Sequence, residues 1–118
     1  MSAVYHELHV TSHYSFLRGV SAPDDLFETA AMLGLPALAI VDRNSVAGQV
    51  RALLAAERTG VRHIPGCRID LVGGDSLLVW PEDRAGWGRL TRLLTAGKAR
   101  ADAQRGEKGH CFLHWEDV

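Results

Sequence analysis

Residues 37–43 read ALAIVDR, an unbroken apolar run closed by Asp42 and Arg43. Side chains alternate between the two faces of a strand, so a run without polar interruption predicts a strand buried on both faces, as in parallel sheets, emerging at its charged C-terminal end. The flanking residues supply the helices that a parallel sheet needs as crossovers. Upstream, Ser21 can cap a helix over about residues 23–33, with Pro23 in its first turn, Asp24 and Asp25 at its positive end and Gly34 at its stop. Leu26, Ala30 and Leu33 fall on one stripe of that helix, beside Phe27 and Ala31. Downstream, Asn44 or Ser45 can cap a second helix whose apolar side is Val46, Val50, Leu53 and Leu54 and whose end is Gly60.

Further out, YHELHV reads as the first strand, and RHIPGCRIDL and SLLVW as two strands joined by the turn VGGD, a hairpin near residues 62–80. Pro81, Glu82 and Asp83 open a third helix with the apolar row Trp87, Leu90, Leu93 and Leu94 and with Arg84, Arg89 and Arg92 on its other side. After Gly97 the pattern fails, which predicts a mobile loop or a fraying helix tail over about 98–109, and CFLHW reads as one last strand. The order β-α-β-α-β-β-α-β predicts a single α/β domain with a mixed, mostly parallel sheet.

The 118 residues suffice for one core, whereas a closed barrel of eight strand-helix units takes about 250. No apolar run approaches the roughly 20 residues of a membrane span, no signal-like N-terminus is present, and Cys67 and Cys111 form no CxxC pair, which together predict a cytoplasmic chain with reduced thiols. The net charge of −1 is unevenly spread: residues 1–83 hold six Arg against ten Asp or Glu, and residues 84–108 hold seven Lys or Arg against two acids. Arg84, Arg89, Arg92, Lys98 and Arg100 are therefore candidate nucleic-acid contacts, the alternative being a solvated helix face. Trp80 and Trp87 could stack on bases, but Trp87 belongs to an apolar row. No phosphate-cradling glycine motif occurs.

In a parallel sheet the ligand site lies at the C-terminal strand ends. One mouth would receive Glu7, His9 and Thr11, then Asp42 and Arg43, then Cys67 and Arg68. His6, His110 and His114 read as packed or surface residues, as does His13, although its loop beside Tyr14 could bring it to the mouth. In motif form the strand ends are E-L-H-V-T-S, V-D-R and G-C-R. These resemble the three motifs of the PHP family of barrel-shaped, metal-dependent phosphoesterases, (D/H)-L-H-x-H-(S/T), T-D-H and a third strand supplying Glu. The wider context, through DSLLVWPEDRAGWGRLTRLLTAGKAR, is similar to the N-terminus of C-family bacterial DNA polymerases of the error-prone branch.

The resemblance implies the opening portion of a distorted, TIM-like (βα) barrel, a partial domain over 1–118, within a chain that performs error-prone, translesion DNA synthesis in repair. The magnesium-holding carboxylates of synthesis would lie outside these residues. Partners would be the rest of the polymerase chain, DNA through it, other polymerase-associated proteins, and a second copy through an exposed barrel edge. The ligand positions are altered: His9 and Asp42 match, Glu7 stands for Asp or His, Thr11 for His, Arg43 for His, and Arg68 at or beside the bridging Glu. Arginine has no lone pair for a metal. At about 4 Å and an effective dielectric near 20, an Arg facing a dication costs on the order of 8 kcal/mol. The expectation is no bound metal, with Arg43 and Arg68 paired to Glu7 and Asp42. Two alternatives stay open, a phosphoesterase or 3′–5′ exonuclease with Zn or Mn at His9 and Asp42, and a free-standing nucleic-acid-binding module.

Overall fold

The structure, a computed structural model, describes residues 5–15, 19, 21–105 and 110–118, with only the backbone of Arg105. Its elements are β1 (Glu7–Val10), α1 (Pro23–Met32), β2 (Ala37–Ile40), α2 (Gln49–Thr59), β3 (Arg62–Pro65), β4 (Cys67–Asp70), β5 (Ser76–Val79), α3 (Arg84–Arg105) and a closing 3-10 turn (Trp115–Asp117). The segment ALAI is the central strand: β1 and β3 both pair with β2 in parallel, giving the order β1-β2-β3. All of β2 is buried. Leu38 and Ile40 pack with Phe27 and Ala30 of α1 and with Ala52, Ala55 and Ala56 of α2. The opposite face, Ala39 and Val41, is equally covered.

Two readings of the strands change. RHIPGCRIDL is not one arm of a hairpin. It splits at Gly66 into β3, which extends the parallel sheet, and β4, which pairs antiparallel with β5 in a second, two-stranded sheet. The hairpin is therefore confined to 67–79. A Cβ at Gly66 would stand 2.7 Å from Val41 Cγ1 and 2.9 Å from Trp80 Cδ1, so the chain passes between sheets only because no side chain is there. CFLHW forms no strand either. Phe112 N donates to Gly97 O at 2.9 Å and Val72 N to Leu113 O at 2.9 Å, which lays the segment between α3 and the β4–β5 turn.

The helices also differ from expectation. Ala22, not Ser21, is the N-cap of α1, and the Ser21 carbonyl instead accepts His13 N at 2.8 Å. Helix α2 starts only at Gln49, and its buried side is Gln49, Ala52, Ala55 and Ala56. Val50, Leu53 and Leu54 face outward, 69, 48 and 60% exposed. Small residues let α2 approach the sheet closely, which leaves the larger apolar ones on its far side.

Helix α3 does not stop at Gly97 but runs to Arg105, so of the two readings of this stretch 98–105 is the helix tail and not the loop, while 106–109 lies outside the described residues. Alanine, glutamine and arginine sustain a helix without an apolar row, and Ala101, fully buried, anchors this stretch together with the Arg100 bonds to Phe112 O and Asp117. At Gly97 the C-terminal segment comes so close that a Cβ would meet Cys111 Sγ at 2.6 Å and Leu113 Cδ2 at 2.8 Å. A second core of Cys67, Ile69, Leu71, Leu90, Leu94 and Leu113 results, set beside the first. The particle measures 51 × 26 × 24 Å.

Candidate functional site at the strand ends

The two cores meet where the chain leaving β2 runs beside β4. Arg68 N donates to Asp42 O (2.9 Å) and Asn44 N to Arg68 O (2.7 Å), forming a parallel bridge between Arg43 and Arg68. Asn44 sits at φ 48°, a left-handed conformation that asparagine tolerates better than most residues. Its Oδ1 accepts Asp70 N at 3.0 Å, so it clips this seam and does not cap α2. The topology thus brings Asp42, Arg43, Arg68 and Asp70 together.

Asp42 is 1% exposed and its carboxylate accepts from Ser12 N (2.7 Å), Ser12 Oγ (2.7 Å) and Ser15 Oγ (2.8 Å). Ser15 Oγ in turn accepts Arg43 N at 3.0 Å. Hydrogen bonds to a carboxylate are charge-assisted, which compensates for its loss of water. Neither arginine reaches Asp42 or Glu7 as the sequence led us to expect. Arg43 Nε donates to Asp70 Oδ2. Arg68 Nε donates to Asp70 Oδ1 at 3.2 Å and to Ser76 Oγ at 2.8 Å, and Ser76 Oγ donates to Asp70 Oδ1. Both cations therefore clamp one carboxylate that the motifs do not flag.

Burial pushes the Asp70 carboxyl up, but the Ser76 hydroxyl and Arg43, joined by Arg68, outweigh it and leave it below its ordinary value. At the C-terminus, Arg100 and the backbone N–H of His114 bring Asp117 from 3.8 down to about 2. For both groups the folded-state value is the lower one. Their stabilisation is therefore complete above the unfolded value and is lost as pH falls through the folded one. A titration followed by NMR should show the 3-10 turn loosening between about pH 4 and pH 2, and the seam loosening as pH falls below the ordinary carboxylate range. Asp117→Asn should flatten the acid limb of the turn; an unchanged limb would show that Asp117 does not contribute.

The remaining sequence-predicted positions stay apart from this cluster. Glu7 accepts the Tyr5 hydroxyl at 2.8 Å and His9 N at 3.3 Å, His9 is exposed on β1, and Thr11 is half-buried. His13 stacks edge-on against Tyr14. Among the described residues no three His, Cys, Asp or Glu side chains converge as metal ligands. The donors do not suit a dication: both Asp42 oxygens already accept hydrogen bonds, and the adjoining bridge pairs two arginines, Arg43 and Arg68, which have no lone pair to offer. Ser12 was legible as the last position of E-L-H-V-T-S, whereas Ser15 and Asp70 carried no signal. Cys67 is a packing thiol, raised to about 11 chiefly by burial.

Of the basic residues singled out on α3, Arg100 is occupied by Asp117 (2.8 Å) and by Phe112 O (2.8 Å). Arg84, Arg89, Arg92 and Lys98 are exposed, with no ion pair among the described residues. Trp80 donates to Leu8 O at 3.2 Å and, with Val50, Leu53 and Trp87, lines an apolar cleft of about 900 Å³.

A parallel βα sheet with altered motif residues at its strand ends has a counterpart among known proteins. The chain belongs to the PHP domain family, whose profile matches residues 7–116. Within it, the chain is similar to polymerases: it is 58% identical over 114 residues to error-prone DNA polymerase 3 of Agrobacterium fabrum, a match covering 97% of this chain and 10% of that one. It spans about a tenth of the length of the curated relatives it matches. Among solved structures, a putative metal-dependent phosphoesterase from Bifidobacterium adolescentis superposes with TM-score 0.66 at 26% identity, over 89% of this chain and 36% of the other. An amidohydrolase from Chromobacterium violaceum, described with bound sulfate and no metal, shares the fold at TM-score 0.65 and 24% identity, over 85% and 36%.

Proposed function

We propose that the chain is the N-terminal PHP region of an error-prone DNA polymerase and serves it as a metal-free structural module. The observation that carries this reading is the clamp of Arg43 and Arg68 on Asp70, together with the saturation of Asp42 by Ser12 and Ser15. Where an active relative would use ions to make a nucleophile and steady a leaving oxygen, this chain has fixed cations and hydroxyls that join two cores. DNA synthesis, translesion repair and magnesium belong, on this reading, to the rest of a longer cytoplasmic chain. No helix of the described residues is long and apolar enough to cross a membrane.

The outward face of Val50, Leu53 and Leu54 supports membership of a larger body, because apolar patches of this kind mark interfaces. Later strand-helix units of a (βα) barrel would cover it. The same face offers a second copy an edge when the chain is isolated. Purified protein should carry substoichiometric metal, leave a 3′-labelled DNA strand intact with or without Zn, Mn or Mg, and sediment with self-association that Leu54→Glu weakens. Stoichiometric metal with chelator-sensitive release of nucleotides would establish the phosphoesterase or exonuclease alternative instead.

Arg84, Arg89 and Arg92 of α3, exposed and without an ion pair among the described residues, favour one additional role, contact with a DNA backbone near the polymerase. Log affinity for single-stranded DNA should fall with log salt, and Arg89→Gln with Arg92→Gln should make that slope shallower by about 0.7 per lost phosphate contact. An unaltered slope would make this face solvated surface only.

A further inference from the structure

The apolar cleft of about 900 Å³ runs along the free edge of the parallel sheet. Successive residues of a strand point to opposite faces, and both His63 and Ile64 line the cleft, so it is the edge of β3 that is turned into it. Val50 and Leu53 of α2 form one wall, Trp80 and Trp87 the other. Both walls are tied to the strand. Gln49 of α2 meets His63 Nε2 at 2.7 Å and Gly66 O at 3.0 Å, and a Cβ at Gly66 would stand 2.9 Å from Trp80 Cδ1. Asp83 fixes the far end, its carbonyl accepting Trp87 N at 3.0 Å and its Oδ1 accepting Gly86 N at 2.7 Å.

That edge is built against pairing. Main-chain groups alternate in direction along a strand, and Arg62 N donates to Pro36 O on the β2 side, so His63 and Pro65 turn theirs to the cleft. Pro65 has no N–H, which leaves the His63 N–H as the donor of a four-residue edge. A short strand, a proline and an exposed charge, here Arg62, are devices that keep an edge from taking another strand. Apolar side chains are nevertheless exposed beside it: Val50, Leu53 and Trp80. The cleft therefore suits inserted apolar side chains and not a backbone ladder, which is how an amphipathic helix docks in a groove. Its rim sets Arg62 and Arg84 against Glu82 and Asp83, a balance that gives a polyanion such as DNA no net attraction. A second copy related by a two-fold axis would set one concavity against another and fill neither.

We infer that this cleft seats an amphipathic helix from another part of the same polymerase chain, its apolar stripe against Val50, Leu53, Trp80 and Trp87, with no strand added to β3. The source of the helix rests on the polymerase reading, in which relatives about ten times the length of these residues have ample chain to supply it. The form of the occupant rests on the edge alone.

The test places a photo-crosslinker at residue 84, on the rim, in the native protein that contains these residues, and maps its products by mass spectrometry. The expected result is capture within one further segment of the same chain, at residues spaced three or four apart. Val50→Asp with Leu53→Glu should abolish that capture. Because both side chains face outward, the same pair should shift the melting temperature of the 118-residue chain by no more than about 3 °C. The inference is overturned by captured residues spaced two apart, which mark an added strand, by capture between copies, of a separate protein or of DNA, or by no capture beyond the 118 residues. Primer extension by the same preparation reads the polymerase assignment separately: activity without helical capture sinks the docking alone, and helical capture without activity sinks the polymerase reading alone.

Discussion

Asp42→Ala should destabilise the fold by about 3–5 kcal/mol, because three buried donors lose their acceptor at about 1–3 kcal/mol each. The side chain accepts three hydrogen bonds, and its loss leaves Ser12 N, Ser12 Oγ and Ser15 Oγ without their acceptor in a site that water does not reach. Ser15 also positions Arg43 N, so the damage should spread to the seam. Denaturant unfolding monitored by tryptophan fluorescence measures the loss. Asp42→Asn keeps an acceptor but introduces donors facing donors, and should lie between alanine and the parent. Ser12→Ala with Ser15→Ala removes the hydroxyl donors and should make a subsequent Asp42→Ala less costly than in the parent. If Asp42→Ala were nearly neutral, the residue would be a vestige of a metal site with no structural role.

Gln49→Leu should cost about 2–3 kcal/mol despite being apolar and of similar size, because each buried polar group left unpaired costs about 1–3. Gln49 is 4% exposed. Its Nε2 donates at 3.0 Å to both Ile40 O and Gly66 O, and its Oε1 meets His63 Nε2 at 2.7 Å. One side chain of α2 thus ties the end of β2 to the glycine where the chain changes sheets. Burial lowers the His63 value, so at neutral pH the ring is uncharged and donates from Nε2. Unfolding of Gln49→Leu, His63→Leu and the double variant supplies the cycle. A double variant no less stable than Gln49→Leu alone is expected, since His63 has then already lost its partner. Strict additivity would show that the 2.7 Å contact contributes nothing.

Much of the first half of the molecule was legible because its signals are local. The run ALAIV, Pro23 with two aspartates behind it and Gly60 at φ 79° each report on their own few residues. The three motifs likewise identified the family, since they are short strings at strand ends. Illegible were features set by where strands stop. Gly66 looks like any turn glycine, yet it divides what reads as one extended strand between two sheets. The side of α2 that faces inward is alanine and glutamine, so counting large apolar residues selected the wrong face. In α3 the sequence lost its apolar row after Leu94, but the helix continued because Ala101 found a buried place beside the second core.

By itself, then, the sequence determined the parallel βα order and the family, and it set Arg43 just beyond β2 and Arg68 just beyond Gly66. Tertiary structure alone decided what those arginines do. Whether they meet Glu7, Asp42 or Asp70 depends on the register of the chain after β2 against β4, and that register follows from the switch at Gly66 and the clip at Asn44. A salt bridge requires two side chains within a few ångströms across segments some 27 residues apart. No local pattern encodes that distance, and the packing of two cores against one seam sets it.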